Sequence, residues 1–138
     1  MIPLAALERD ILIVACAISA GIHAALVREH LAAGAGSGGG FLASVVLLAG
    51  LVVVLTRGPV TRTALVTASA VLLGLLVSYA LAVTTGIPLL HPQAEHAEGL
   101  ALATKAVEIL GLLVSLHLLR RRGPAVALSF VQPKGTPT

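Results

Sequence analysis

Four long apolar stretches make up most of this chain, and they leave few architectures open to it. They cover approximately residues 11–31, 41–56, 63–84 and 100–119. An α-helix needs about 20 residues to cross the ~30 Å hydrocarbon core of a bilayer, and each stretch is close to that length. Hydrophobic residues are 57% of the sequence, charged residues 11%, and the mean hydropathy is +1.02, so a water-soluble domain could not bury this surface. Because backbone polar groups in lipid must be satisfied within their own segment, we predict four transmembrane helices.

The predicted fold is an all-α, integral membrane, antiparallel four-helix bundle over residues 1–124, followed by a cytoplasmic tail over residues 125–138. The connections between the spans are too short to form a soluble domain. Cys16 is the only cysteine, which excludes an internal disulfide and any Cys-x-x-Cys motif. The glycine-rich segment 34–40 is predicted to be a mobile outer loop.

The distribution of arginine predicts the orientation. If the N-terminus is cytoplasmic, the outer side holds only Arg28, and Lys105 lies within a span. The cations on the inner side are then Arg9, Arg57, Arg62, Arg120, Arg121, Arg122 and Lys134. The positive-inside rule therefore predicts a protein of the cell membrane with both termini in the cytoplasm. Basic residues beside membrane spans indicate contact with lipid headgroups, and with tryptophan absent and aromatic residues at 2% we expect no binding of nucleic acid.

Histidines and acids gather on the predicted outer side. His30, His91 and His96, together called the outer histidines, are accompanied there by Glu29 and Glu95. Neutral imidazole and carboxylate are ligands that zinc and copper accept, so these five residues form a candidate metal site. The alternative is a solvated polar loop, because acids and histidines are left outside once the arginines have been drawn inward.

Ionisable side chains lie within the predicted spans, among them His23, Lys105 and Glu108. His23 of the first span and Glu108 of the fourth are at similar depth, and Lys105 lies one turn above Glu108. His23 and Glu108 each belong to a polar stripe along their helix: Cys16, Ser19, His23 and His30 in the first span, and Thr104, Glu108, Gly111 and Ser115 in the fourth. Ionisable groups in hydrocarbon normally face a bundle interior and form pairs, so we expect helices one and four to be in contact. The pair is either interhelical glue, with Lys105 extended outward, or part of a proton or metal relay from His30 through His23 to Glu108.

Short motifs are spread along residues 21–108. They are Gly21-Ile22-His23 and Glu29-His30 in the first span, Gly40-Phe41 at the start of the second, Thr84-Thr85-Gly86-Ile87-Pro88 after the third, and Glu108 in the fourth. On these motifs the chain resembles a group of small four-span membrane proteins widespread in actinobacteria. In that group the end of helix three usually reads Trp-x-x-Ser-Arg-Thr-x-Gly-x-Pro-x-Gly-Pro. Here Tyr79 is near the Trp position, and the Arg and the second Gly-Pro are missing. The resemblance implies the four-helix membrane fold and no particular activity.

The function that these features favour is a small, non-catalytic accessory subunit of a larger membrane complex, such as a respiratory or copper-dependent oxidising enzyme. The sequence contains no hydrolase, nucleotide-binding or metalloprotease motif. Ala17, Gly21 and Ala25 form a small-xxx-small ridge on the first span, which suits the close approach of another helix. The expected partners are membrane lipid and other integral membrane subunits. The alternative function is the binding or handling of copper or zinc at the outer face.

Overall fold

The computed structural model describes residues 4–85 and 99–122, and within these ranges the chain forms four helices and no strand. The helices are α1 (Leu4–Ala33), α2 (Ala35–Arg57), α3 (Arg62–Thr84) and α4 (Gly99–Arg121). All four are long and apolar enough to cross a membrane. Helix α1 packs along α2 and α4, and α3 packs along α4 but meets α2 over a shorter stretch. The predicted all-α four-helix bundle is confirmed, and so is the contact between helices one and four.

The bundle has one end rich in arginine, where α1 and α3 begin and α2 and α4 end. We call it the arginine-rich end. The Arg9 guanidinium connects two of these helix ends: its Nε donates to the Leu55 carbonyl oxygen at 2.8 Å and its Nη2 to that of Thr56 at 2.9 Å. The last carbonyls of a helix lack intrahelical donors, so Arg9 satisfies two acceptors at the end of α2. Because this bond joins the first turns of α1 to the last turn of α2, the two helices run antiparallel.

At the opposite end, Gly34 alone connects α1 to α2, and the prediction of a mobile loop over residues 34–40 is wrong. The backbone continues in helical hydrogen bonds on both sides, from the Gly34 N–H to the His30 carbonyl (3.0 Å) and from the Gly38 N–H to the Gly34 carbonyl (3.1 Å). A Cβ placed on Gly38 would lie 2.7 Å from the Leu31 Cα, so this crossing needs a residue without a side chain. The glycines cost helix propensity, but they allow the close packing that holds α1 against α2.

Residues 58–61 form the second connection, which contains Gly58 and Pro59, two residue types that commonly end helices. Thr61 caps α3, because its Oγ1 accepts from the Ala64 N–H at 3.1 Å. The predicted loop between helices three and four lies outside the described residues, except for Thr85, its first residue, and Gly99, its last, where α4 begins. The predicted tail, residues 125–138, lies outside the described residues entirely.

The half of the bundle next to the arginine-rich end has an apolar core. Its fully buried side chains include Leu12, Leu48, Leu55, Leu65 and Leu72. Gly111 of α4 lets three helices meet here, since an added Cβ would lie 3.1 Å from the Ala15 Cβ and 3.2 Å from the Leu72 Cδ1. The other half has buried polar side chains, which form the candidate site described next.

Candidate functional site

The fully buried carboxylate of Glu108 is the centre of the polar cluster between α1 and α4. Its Oε1 accepts a hydrogen bond from the Ser19 hydroxyl at 2.7 Å, and its Oε2 lies 2.6 Å from the Lys105 ammonium. Ser19 is on α1, whereas Lys105 is on α4 itself, three residues before Glu108. Each carboxylate oxygen therefore has a donor, one from each helix.

His23 joins the cluster through Ser19. Its Nδ1 lies 2.8 Å from the Ser19 carbonyl oxygen, one helical turn back, and 3.4 Å from the Ser19 hydroxyl. A carbonyl can only accept, so Nδ1 carries a proton, and in a neutral ring Nε2 is then the acceptor. His23 and Glu108 therefore both contact Ser19. The sequence placed Ser19 in the same polar stripe but did not assign it this bridging position.

Lys105 lies inside the bundle, with 13% of its side chain exposed. The expectation that it extends outward, away from the cluster, does not describe this structure, because its ammonium reaches back to Glu108. The same ammonium lies 5.3 Å from the centre of the Tyr79 ring on α3, within the range of a cation–π contact. The Tyr79 hydroxyl is buried and has no hydrogen-bond partner within residues 4–85 and 99–122. The cluster thus connects α1, α3 and α4.

The charges of the cluster balance. The Lys105 ammonium offsets the Glu108 carboxylate, and a neutral His23 adds no charge. An unpaired charge in hydrocarbon costs several kcal/mol, so the ion pair is what makes a fully buried carboxylate tolerable here. Both oxygens of the Glu108 carboxylate thus have donors from the chain itself, Ser19 and Lys105.

Phe41 of α2 contacts His23 and His30, which both lie in the half of α1 away from the arginine-rich end. Its ring stacks on His30 with 3.8 Å between centroids, and it lies 5.4 Å from the ring of His23 at an interplanar angle of 41°. A phenyl ring has no hydrogen-bonding group that could carry a proton from one imidazole to the other. Phe41 therefore packs α2 onto the histidine face of α1. The interpretations as interhelical glue and as a relay both stay predictions.

Two of the five predicted metal ligands lie in the described part of the chain. Glu29 is exposed, and His30 is half-buried beside Phe41, with its Nδ1 3.0 Å from the Leu26 carbonyl oxygen. His91, Glu95 and His96 lie outside the described residues. Residues 4–85 and 99–122 contain no group of three or more histidine, cysteine or acidic side chains that could hold a metal ion. The five-residue metal site stays a prediction.

Two further polar contacts between helices were not predicted. The Ser69 and Ser115 hydroxyls lie 2.6 Å apart between α3 and α4, and Ser115 donates to the Leu65 carbonyl oxygen at 3.0 Å. At the arginine-rich end, Glu8 Oε1 lies 3.5 Å from His117 Nε2 and 3.6 Å from Arg121 Nη1. The sequence placed Ser115 on the polar stripe of the fourth span, but helical phase does not identify its neighbours on other helices.

Comparison of the chain with models of known families, with curated proteins and with solved structures finds no match. The resemblance to small actinobacterial four-span proteins therefore stays a prediction. What the structure itself defines, within residues 4–85 and 99–122, is four helices long and apolar enough to span a membrane, with a buried polar cluster around Glu108 in their interior.

Proposed function

We propose that this protein is a non-catalytic accessory subunit that packs against another integral membrane protein. The observation that carries the proposal is the small-residue ridge of α1, formed by Ala17, Gly21 and Ala25. All three residues are exposed, and a Cβ added to Gly21 would meet nothing within 4 Å among the described residues. At ~100° per residue the ridge lies about 180° from the buried face of α1 around Cys16 and Ser19. The ridge is thus directed away from the three other helices.

The physical argument concerns how helices associate in lipid. Lipid tails are as apolar as leucine side chains, so association depends on close van der Waals packing, which small residues allow. A helix from a partner could approach the α1 backbone at the ridge. Large apolar side chains on the other faces, such as Val46 and Leu113, suit contact with lipid.

The polar cluster supports this function structurally. The hydrogen bond between Ser19 and Glu108 fixes how α1 packs on α4, and the Lys105 ammonium neutralises the buried Glu108 carboxylate. A subunit with a docking face needs that face held in one position, and buried polar pairs can specify such a position. We propose further that the arginine-rich end faces the cytoplasm, in accordance with the positive-inside rule, so that both termini are cytoplasmic.

The test is purification of the tagged full-length protein in mild detergent, with Gly21→Leu compared to Gly50→Leu. Gly50 on α2 is also exposed, and a Cβ added there also meets nothing within 4 Å, but its neighbours one turn away are Val46 and Val54. We expect a stoichiometric partner with the wild type and with Gly50→Leu, and its loss with Gly21→Leu. A wild-type protein that is monodisperse and carries no partner, or equal retention by both variants, would contradict the proposal.

A further inference from the structure

The surface at the arginine-rich end has a shallow depression between the start of α1 and the end of α4. Its volume is about 400 Å³. The residues that line it are Glu8, Leu113, Val114, Leu116, His117 and Arg120. It is separate from the polar cluster around Glu108 and from the ridge of α1.

The polar side of the depression has groups that are not satisfied by the chain. Among the described residues, no carboxylate lies within ion-pair distance of Arg120. Glu8 directs Oε1 toward His117 and Arg121, whereas its Oε2 is buried and has no hydrogen-bond partner within residues 4–85 and 99–122. Within the described part of the chain, Arg120 therefore offers an anion a guanidinium without a carboxylate partner. The Glu8 carboxylate can accept from a hydrogen-bond donor, because its contacts of 3.5 Å and 3.6 Å are long for hydrogen bonds.

The other side of the depression is apolar. Leu113 is 60% exposed and Leu116 is 37% exposed, and both lie within two turns of Arg120 on α4. The direction from Arg120 to Leu113 runs from the end of the helix toward the middle of the bundle. A molecule that fills this surface needs a polar head at the arginine-rich end and an apolar chain along α4.

We propose that the depression binds one anionic glycerophospholipid whose headgroup carries hydroxyl groups, as phosphatidylglycerol does. Arg120 binds the phosphate, a headgroup hydroxyl donates to the Glu8 carboxylate, and an acyl chain covers Leu113 and Leu116. Arg120 and Arg121 against Glu8 leave one net positive charge when His117 is neutral, which one phosphodiester balances. A hydroxyl also supplies the donor that Glu8 needs without adding a cation beside Arg120 and Arg121, as an ethanolamine headgroup would.

The experiment is native mass spectrometry of the full-length protein in detergent titrated with defined lipids. We expect phosphatidylglycerol to bind more tightly than phosphatidylethanolamine, and more tightly than phosphatidylmethanol, which is anionic but lacks the hydroxyl donor. Arg120→Gln should weaken the binding of phosphatidylglycerol about fivefold, which is the contribution typical of one arginine at an anionic membrane surface. Arg62→Gln is the matched control, because Arg62 is an exposed arginine at the same end but does not line the depression.

The Glu8 variants test the hydroxyl contact. Glu8→Leu should abolish the preference for phosphatidylglycerol over phosphatidylmethanol, and Glu8→Gln, which keeps an acceptor oxygen, should retain it. If Glu8→Leu does not fold, the comparison of the two lipids on the wild type decides the point. Equal affinity for phosphatidylglycerol and phosphatidylethanolamine would overturn the proposal. So would equal losses in Arg120→Gln and Arg62→Gln, or competition by inorganic phosphate as effective as that by the lipid.

Discussion

Replacing Lys105 by methionine tests whether the buried ion pair governs the stability of the bundle. Methionine keeps much of the volume of the lysine chain but removes the ammonium that lies 2.6 Å from Glu108 Oε2. Glu108 is fully buried on α4. We therefore expect Lys105→Met to lower the free energy of unfolding strongly, because it leaves a carboxylate with one donor, Ser19, and no compensating charge.

The magnitude follows from the asymmetry of the pair. Removing one partner of a buried ion pair costs about 3–5 kcal/mol, whereas a single interhelical hydrogen bond in a membrane averages about 0.6 kcal/mol. Glu108→Gln should be mild, about 1 kcal/mol, since glutamine still accepts from Ser19 and the released Lys105 can extend toward the membrane surface. The double variant Lys105→Met with Glu108→Gln contains no buried charge and should recover roughly 2 kcal/mol of the loss caused by Lys105→Met.

The assay is reversible unfolding in mixed micelles of increasing sodium dodecyl sulfate content, followed by far-ultraviolet circular dichroism. The chain contains no tryptophan, so helix content is a better signal than intrinsic fluorescence. Ser19→Ala serves as the control for loss of a hydrogen bond without loss of charge, with an expected cost of about 0.6–1.7 kcal/mol. If Lys105→Met is no more costly than Ser19→Ala, or if the double variant is as unstable as the sum of the two single changes, the pairing does not stabilise the bundle as argued.

Three further predictions concern other parts of the chain. Gly38→Ala should destabilise the protein by about 1–3 kcal/mol in the same unfolding assay, because the added Cβ would lie 2.7 Å from a backbone atom of α1. Gly39→Ala, whose added Cβ meets open space, should not destabilise it. Equal effects of the two changes would show that the close crossing of α1 and α2 is unimportant. If the outer histidines bind metal, purified wild type should carry copper or zinc that is absent after all three are changed to alanine, and negligible metal in both samples would eliminate the metal hypothesis. In a variant without Cys16, a cysteine replacing the exposed Ala35 should react with an impermeant maleimide in intact cells. A cysteine replacing Arg122 should react only after the cells are permeabilised. The reverse pattern would invert the proposed orientation.

Composition and periodicity determined the helices themselves. A chain with a mean hydropathy of +1.02 and four stretches of about 20 apolar residues has one way to satisfy its backbone in lipid, so all-α architecture and helix number follow from the sequence. The positions of Ser19, His23 and Glu108 around their helix axes also indicated which faces of α1 and α4 lie in the bundle interior, because an unpaired charge in hydrocarbon is costly.

Tertiary packing decided the rest. The glycine-rich segment 34–40 reads as a loop from propensity alone, yet it is helical from Ala35 because Gly38 packs directly against the backbone near Leu31. Helical phase placed Ser19 and Glu108 on inward faces, but only the distance between the two helices made Ser19 the link between His23 and Glu108 and turned Lys105 inward. The bond of Arg9 to the end of α2 likewise spans 46 residues of sequence. A one-dimensional pattern records which face a side chain occupies; the atom that it meets depends on how the neighbouring helix is shifted and rotated, which only the folded bundle fixes.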